Sequence, residues 1–159
     1  MEKKEIELAE LIKRGGIHRD LEGSSLREVL TALTAVIPAI PAVPSDKLLQ
    51  AVLERESLMS TSIGRGIALP HPRNPLITQE SEQFTALVFL KNPVDWHSLD
   101  GERVDTLLFI VSASAKQHLR TLSEINYFCR EEEFYRLLRK RARLEDILDY
   151  ISETEKNWK

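Results

Sequence analysis

The sequence predicts an α/β protein, a three-layer sandwich in which a mixed central sheet is flanked by helices on both faces. Residues 84–90 and 104–111 are nearly continuous apolar runs with β-branched and aromatic members, a pattern typical of strands covered on both faces. Helical patterns precede and follow these runs, which is the order expected of a layered sandwich. The chain has 159 residues, a length that suits a single domain with one core.

Two helices are predicted at the start of the chain. The first covers residues 5–14 and ends at the pair Gly15-Gly16, since glycine commonly terminates a helix. The second begins after Ser25, which forms a capping box with Glu28. Its apolar periodicity predicts a buried face, made of Leu26, Val29, Leu30, Leu33, Val36 and Ile37.

A proline-rich connector separates the second helix from a third. Residues 38–44 contain three prolines, and each disfavours helical angles for the residue before it. Ser45 is then expected to cap a helix that runs to about Arg55. The side chains expected to face inward are Leu48, Leu49, Val52 and Leu53.

The remaining elements follow from short local signals. Residues 67–69 are predicted to form a short extended segment. Asp100-Gly101 indicates a turn between the two long strands. Residues 114–117 have capping-box form, so a helix should begin near Ala115. Two more helices are predicted over residues 131–141 and 144–151.

Composition excludes several classes of protein. A formal net charge of −3 and a pI near 5.9 argue against nucleic-acid binding, since such domains are usually basic. No apolar stretch approaches the roughly 20 residues of a membrane span. The single cysteine, Cys129, cannot form an internal disulfide, and the first ten residues lack the apolar centre of a signal peptide. We therefore expect a cytoplasmic protein.

Of the four histidines, His71 has the most constrained setting. For His18 and His97 the ordinary interpretation is a surface or hydrogen-bonded imidazole. His71 follows an apolar strand and lies between Pro70 and Pro72, which restrict its backbone to extended angles. A ring held at a strand end suits a nucleophile presented to a macromolecule, although a strand-ending turn with an incidental histidine fits equally.

His118 and Arg55 are each ambiguous when taken alone. His118 lies in the first turns of the predicted fourth helix, where unpaired N–H groups attract anions and disfavour imidazolium; it shares a buried stripe with Leu122, Ile125 and Cys129. The alternative is a core histidine bonded to a backbone carbonyl. Arg55 continues the row of Leu48 and Val52, either as a phosphate-binding fork or as an arginine whose charge reaches solvent.

Three ordered blocks resemble the enzyme IIA domains of the bacterial sugar phosphotransferase system, fructose/mannitol type, which includes the nitrogen-regulatory branch. The first block is residues 55–71, ending in Gly-Ile-Ala-Leu-Pro-His. The second contains Val-Asp-Trp at 94–96, Leu-Asp-Gly at 99–101 and Val-Asp at 104–105. The third contains Gln-His-Leu at 117–119 and Leu-Ser at 122–123. The resemblance covers about residues 26–151, the expected core, and leaves about residues 1–22 as an N-terminal extension of one domain over 1–159.

The resemblance implies a histidine phosphocarrier. His71 matches the family's phosphorylated histidine, His118 its second active-site histidine and Arg55 its phosphoryl-binding arginine. It also implies an HPr-type phosphocarrier protein as donor, a IIB domain or a regulatory target as acceptor, and no cofactor. The sequence departs from the family at Pro72, where glycine, alanine or cysteine is usual, and at Ser62, where glycine is common.

Three other interpretations compete with that of a phosphocarrier that serves sugar uptake. A zinc site made of His71, His97, His118 and Cys129 lacks the usual ligand spacings. Nucleic-acid binding by the basic residues 136–143 is countered by the glutamates at 131–133, because acids first and bases last match the helix dipole. The third is a regulatory module that binds a partner according to its phosphorylation state, in which His71 would undergo the same chemistry.

Overall fold

The two apolar runs form the two central strands of a five-stranded sheet. The computed structural model describes residues 5–158, so expectations for residues 1–4 and 159 lie outside the described part. The strands are β1 (Ile17–Leu21), β2 (Ser62–Gly64), β3 (Ile67–Ala68), β4 (Phe84–Val94) and β5 (Val104–Val111). Their order is β1-β4-β5-β3-β2. β1 is parallel to β4 and β3 to β5, whereas β4 and β5 pair antiparallel, as do β2 and β3.

Helices cover both faces of this sheet. Along the chain they are α1 (Leu8–Gly15), α2 (Leu26–Val36), α3 (Ser45–Leu58), α4 (Ala115–Arg130), α5 (Glu132–Arg139) and α6 (Leu144–Lys156), with a 3₁₀ turn at Glu80–Glu82. Helices α2 and α3 share one hydrophobic core with the sheet, and α1, α4, α5 and α6 share the other. The predicted three-layer sandwich with a mixed sheet is confirmed. None of the helices within residues 5–158 is long and apolar enough to be a candidate membrane span.

Strand β4 shows why its sequence is apolar without alternation. Ala86, Val88 and Leu90 face the core under α2 and α3, whereas Leu87 and Phe89 face the opposite core. Because successive side chains of a strand point to opposite faces, a strand buried on both needs apolar residues at every position. The interpretation of this run as a doubly covered strand is confirmed.

Helix starts were predicted well at two capping boxes and wrongly at Ser45. The hydroxyls of Ser25 and Ser114 accept hydrogen bonds from the amides of Glu28 and Gln117, as expected. The N-cap of α3 is Pro44, and Ser45 is already helical, with no capping bond from its side chain. Proline has extended angles there while its carbonyl accepts the first intrahelical bonds, so the helix begins one residue earlier than predicted.

One residue of the predicted inner face of α2 points outward. Val36 is 43% exposed, although the periodicity placed it in the core. It lies in the last turn, and the next residue, Ile37, adopts extended angles and is buried in its place. The chain leaves the helix there, so the 3.6-residue period no longer decides which side chain faces inward.

The structure adds two strands that the sequence did not predict, β1 and β2. β1 pairs with β4 at one edge of the sheet, and α1 packs on β4 just before it. Gly15 permits this approach, because a Cβ atom there would lie 2.1 Å from the carbonyl oxygen of Thr85. Residues 8–21 are thus packed against the central strand.

A pair of buried carboxylates lies where α4, α6 and the start of α1 meet. The Glu124 carboxylate accepts hydrogen bonds from the Leu8 amide, at 3.2 Å, and from Arg120, at 2.7 Å. Glu155 on α6 is only 3% exposed. Burial first, and then the hydrogen bond and negative charge of Glu124 and the charge of Glu7, raise the pKa of Glu155 to about 8, against 4.5 for an ordinary glutamate.

We expect Glu155→Gln to stabilise the protein increasingly as pH rises from about 4.5 to 8. In this range the unfolded chain loses the proton of Glu155 while the folded chain keeps it, so the carboxyl lowers the free energy of unfolding as pH rises. Thermal melts of both proteins at pH 5 and pH 8 measure the effect, with the exposed Glu153→Gln as control. A melting-temperature gain no larger at pH 8 than at pH 5 would contradict the assignment.

Candidate active site

His71 lies just beyond β3, on a segment fixed to the neighbouring strand. The Pro70 carbonyl accepts the Ile110 amide at 3.1 Å, so this segment stays attached to β5. The Nδ1 atom of His71 lies 2.7 Å from the Leu69 carbonyl oxygen. A carbonyl oxygen only accepts, so Nδ1 carries the proton and the Nε2 lone pair is free. His71 is buried, with 7% of its surface exposed.

His118 lies beside His71 and has no competing partner. The two ring centroids are 4.5 Å apart, with an angle of 48° between the ring planes. Within residues 5–158 the His118 ring forms no hydrogen bond, so its nitrogens are available to a ligand. Burial, and then the charges of His71 and Arg55, lower the pKa of His118 to about 4. The sequence predicts a neutral His118 from its place at a helix start, and burial and these two neighbours act in the same direction.

Arg55 supplies the positive charge at this place. It lies in the last turn of α3, half-buried, and its Nη1 donates to the Met59 carbonyl at 2.7 Å. Its charge adds to burial in lowering the pKa of His71, while the Leu69 hydrogen bond raises it. The structure thus brings together Arg55 from α3, His71 from the end of β3 and His118 from α4.

The two other histidines lie elsewhere. His18 Nε2 lies 2.9 Å from the Gly15 carbonyl, and His97 occupies an exposed turn with a φ of 56°. Cys129 is buried, which raises the pKa of its thiol to about 12. Among the described residues, no three His, Cys, Asp or Glu side chains are grouped so that they could hold a metal ion.

Three of the five basic residues within 136–143 form hydrogen bonds or ion pairs within the fold. Arg139 forms two hydrogen bonds with the Asp105 carboxylate. Arg141 donates to the Leu90 carbonyl, and Arg143 pairs with Asp146. These contacts fix the guanidinium groups to neighbouring strands and to α6, and so do not favour the nucleic-acid interpretation.

An apolar cavity of about 250 Å³ adjoins His118. It lies between residues 72–76 and the start of α4, and Pro72 forms part of its wall. Leu119 lines it too and is 66% exposed; Leu58 and Met59, which follow Arg55 closely, are also exposed. No periodic signal in the sequence marks these exposed side chains, since exposure of a single leucine or methionine follows no pattern.

Glu56 is a further residue of this region that was not predicted from the sequence. It is buried, and its carboxylate accepts the Thr61 amide at 2.9 Å and the Thr61 hydroxyl. A signal was present, because Glu56 stands four residues after the buried Val52 and continues its row. An acid on an apolar row indicates a specific buried hydrogen bond.

Comparison with known proteins gives one family for almost the whole chain. The family described as "Phosphoenolpyruvate-dependent sugar phosphotransferase system, EIIA 2" matches residues 10–154. The "Nitrogen regulatory protein" of Bradyrhizobium diazoefficiens is 25% identical over 134 residues, which are 83% of this chain and 86% of that protein.

Solved structures of low sequence identity share the fold. Nitrogen regulatory protein IIA-Ntr from Neisseria meningitidis has a TM-score of 0.77 at 21% identity, covering 90% of this chain and 97% of that one. Enzyme IIAMTL from Escherichia coli, solved in complex with phosphorylated enzyme IIBMTL, has a TM-score of 0.60 at 17% identity, covering 86% and 94%.

Proposed function

Because the chain belongs to the EIIA 2 family of the phosphoenolpyruvate-dependent sugar phosphotransferase system, we propose that it carries the phosphoryl group on Nε2 of His71. The family membership confirms the resemblance found in the motifs, and with it a phosphotransferase that carries a phosphoryl group on histidine. The observation that carries the assignment to His71 is its ring geometry: Nδ1 is occupied by the Leu69 carbonyl, and Nε2 is not.

The transfer needs no net movement of protons. The Nε2 lone pair of His71 attacks the phosphorus of the donor's phosphohistidine in line, so that one P–N bond forms as another breaks. The electrons of the broken bond return to the donor's imidazole, which carries a proton on its other nitrogen and therefore leaves as a neutral ring. Nδ1 of His71 keeps its proton on the Leu69 carbonyl throughout. The lowered pKa of His71 favours the ring with an unprotonated, nucleophilic Nε2.

Arg55 and His118 stabilise the phosphoryl oxygens during this step. The guanidinium contributes fixed positive charge, already held by the Met59 carbonyl. A neutral His118 contributes one N–H donor beside the His71 ring. Groups placed before the reaction stabilise developing charge without a reorganisation cost. No metal or cofactor takes part in this mechanism.

We assign the donor to an HPr-type phosphocarrier protein and one acceptor to a IIB protein, in the cytoplasm. The support for a macromolecular donor is the exposed apolar rim, Leu58, Met59 and Leu119, beside Arg55 and His118. The support for a IIB acceptor is the solved complex of the structural relative with its phosphorylated IIB protein. Incubation with phosphoenolpyruvate, enzyme I and an HPr-type protein should add one acid-labile phosphoryl group, and absence of any label would refute the proposal.

We expect Leu119→Asp to raise the KM for the protein donor about tenfold with kcat nearly unchanged, because an apolar anchor at an interface contributes to binding rather than chemistry. Steady-state transfer from the phosphorylated donor measures both constants. The control is Leu99→Asp. Leu99 is fully exposed in the turn before the start of β5, whereas Leu119 lies on α4, which follows the opposite end of β5. Equal KM values for the two variants would remove the rim from the docking surface.

A second candidate function is regulation by phosphorylation-dependent binding. The Bradyrhizobium relative and the Neisseria structure, both called nitrogen regulatory proteins, favour it. Affinity capture with the phosphorylated and unphosphorylated forms separates the two roles. A partner retained by only one form, without receiving the phosphoryl group, supports regulation, whereas a IIB protein that becomes phosphorylated supports transfer.

A further inference from the structure

A continuous run of hydrogen bonds leads from Glu56 to the ring of His71. The Thr61 amide donates to Glu56 Oε2 at 2.9 Å, and the Thr61 hydroxyl donates to Oε1. The Thr61 carbonyl accepts the Leu69 amide at 3.0 Å. The Leu69 carbonyl in turn accepts Nδ1 of His71 at 2.7 Å. Two residues, Thr61 and Leu69, therefore connect one side-chain carboxylate to the imidazole, each through its own N–H and C=O groups.

Among the described residues, the Glu56 carboxylate forms hydrogen bonds only with Thr61. Glu56 is buried, and within residues 5–158 it forms no ion pair. A buried carboxylate without a cation is unfavourable unless hydrogen bonds compensate it, and here Thr61 supplies both bonds. These bonds close the segment between α3 and β2, the same segment in which the Met59 carbonyl holds Arg55.

We propose that Glu56 is a positioning residue, which fixes the tautomer and orientation of His71 through Thr61 and Leu69. This inference rests on the proposed function, because it concerns the presentation of Nε2 to the phosphoryl donor. Glu56 holds Thr61, and Thr61 holds the Leu69 amide, so the Leu69 carbonyl stays directed at Nδ1 of His71. Only the tautomer protonated at Nδ1 can donate a hydrogen bond to this carbonyl. Partners that orient a metal-bound histidine through its second nitrogen commonly affect affinity or activity by about 10- to 100-fold, and we expect an effect of that size on His71.

Glu56→Ala and Glu56→Gln test the proposal through the tautomer of His71. In the ¹⁵N NMR spectrum of the full chain, we expect wild-type His71 to be a single tautomer protonated at Nδ1. Glu56→Ala should give a mixture of tautomers and accept the phosphoryl group about 10- to 100-fold more slowly. Glu56→Gln keeps an acceptor for the amide and a polar partner for the hydroxyl of Thr61, so it should keep the single tautomer and stay within about threefold of the wild-type rate.

Glu54→Ala is the matched control, since Glu54 lies exposed on the same helix, and both its readouts should equal the wild type. A single Nδ1-protonated tautomer in Glu56→Ala overturns the proposal, even if the rate falls. Glu56→Leu fills similar space but offers no acceptor to the Thr61 amide, so a single Nδ1-protonated tautomer in this variant overturns the proposal if the alanine variant does not fold. If neither the wild type nor any variant accepts a phosphoryl group, the proposed function fails. The tautomer of His71 in each variant still tests the positioning role of Glu56.

Discussion

We expect His71→Gln to accept no phosphoryl group from a phosphorylated HPr-type donor. Glutamine approaches the size of histidine and can still donate a hydrogen bond toward the Leu69 carbonyl, so the segment around residue 71 should keep its path. An amide nitrogen has no available lone pair, because resonance delocalises it, and so it cannot form a stable P–N bond. The loss should therefore be complete rather than partial.

Labelling with ³²P-phosphoenolpyruvate, enzyme I and the donor protein measures this effect. His18→Gln and His97→Gln are matched controls, since His18 is bonded to the Gly15 carbonyl and His97 lies in an exposed turn. Both should label as the wild type does. Acid-labile label in the His71 variant, equal to that of the controls, would place the acceptor elsewhere, and His118 would be the next residue to examine.

The second large effect concerns Arg55. We expect Arg55→Ala to slow phosphoryl transfer about 100- to 1,000-fold, because the phosphoryl oxygens lose the fixed charge beside both histidines. Arg55→Lys should recover only part of this rate, since an ammonium is a point charge that cannot form a two-pronged hydrogen bond. The loss should appear in the single-turnover rate constant and not only in KM.

Rapid-quench measurements with excess phosphorylated donor give that rate constant. Arg27→Ala is the control, because Arg27 lies exposed on α2. His118→Ala should fall between the control and Arg55→Ala, about 10- to 100-fold slower than the wild type, since it removes one neutral donor and not a charge. Unchanged single-turnover rates in both Arg55→Ala and His118→Ala would remove these residues from the site.

The sequence predicted those elements that are determined by residues close together in the chain. The Ser25 and Ser114 caps and the apolar helix faces are decided within a few residues, and residues 84–90 of β4 are almost all apolar because both faces of the strand are covered there. β1 was missed because its pairing partner, β4, is distant in the chain. β2 was missed because its three residues are too few to show an alternating pattern. The start of α3 was misplaced because proline at an N-cap offers no side-chain signal.

The site was predictable as a set of residues but not as an arrangement. Three motif blocks carry the resemblance and supply Arg55, His71 and His118 as candidates, yet the proximity of these residues depends on three elements meeting at one place. Which nitrogen of His71 is free depends on the direction of the Leu69 carbonyl. The contribution of Glu56 depends on a hydrogen-bonded path through Thr61, and no pattern along the chain encodes such a path.

The nitrogen that bears the phosphoryl group tests the mechanism most directly. Heteronuclear ³¹P–¹⁵N NMR of the ¹⁵N-histidine-labelled, phosphorylated protein identifies both the residue and the ring atom. We expect one phosphorus coupled to Nε2 of His71, with Nδ1 still protonated on the Leu69 carbonyl. Coupling to Nδ1 of His71, or to either nitrogen of His118, would contradict the mechanism.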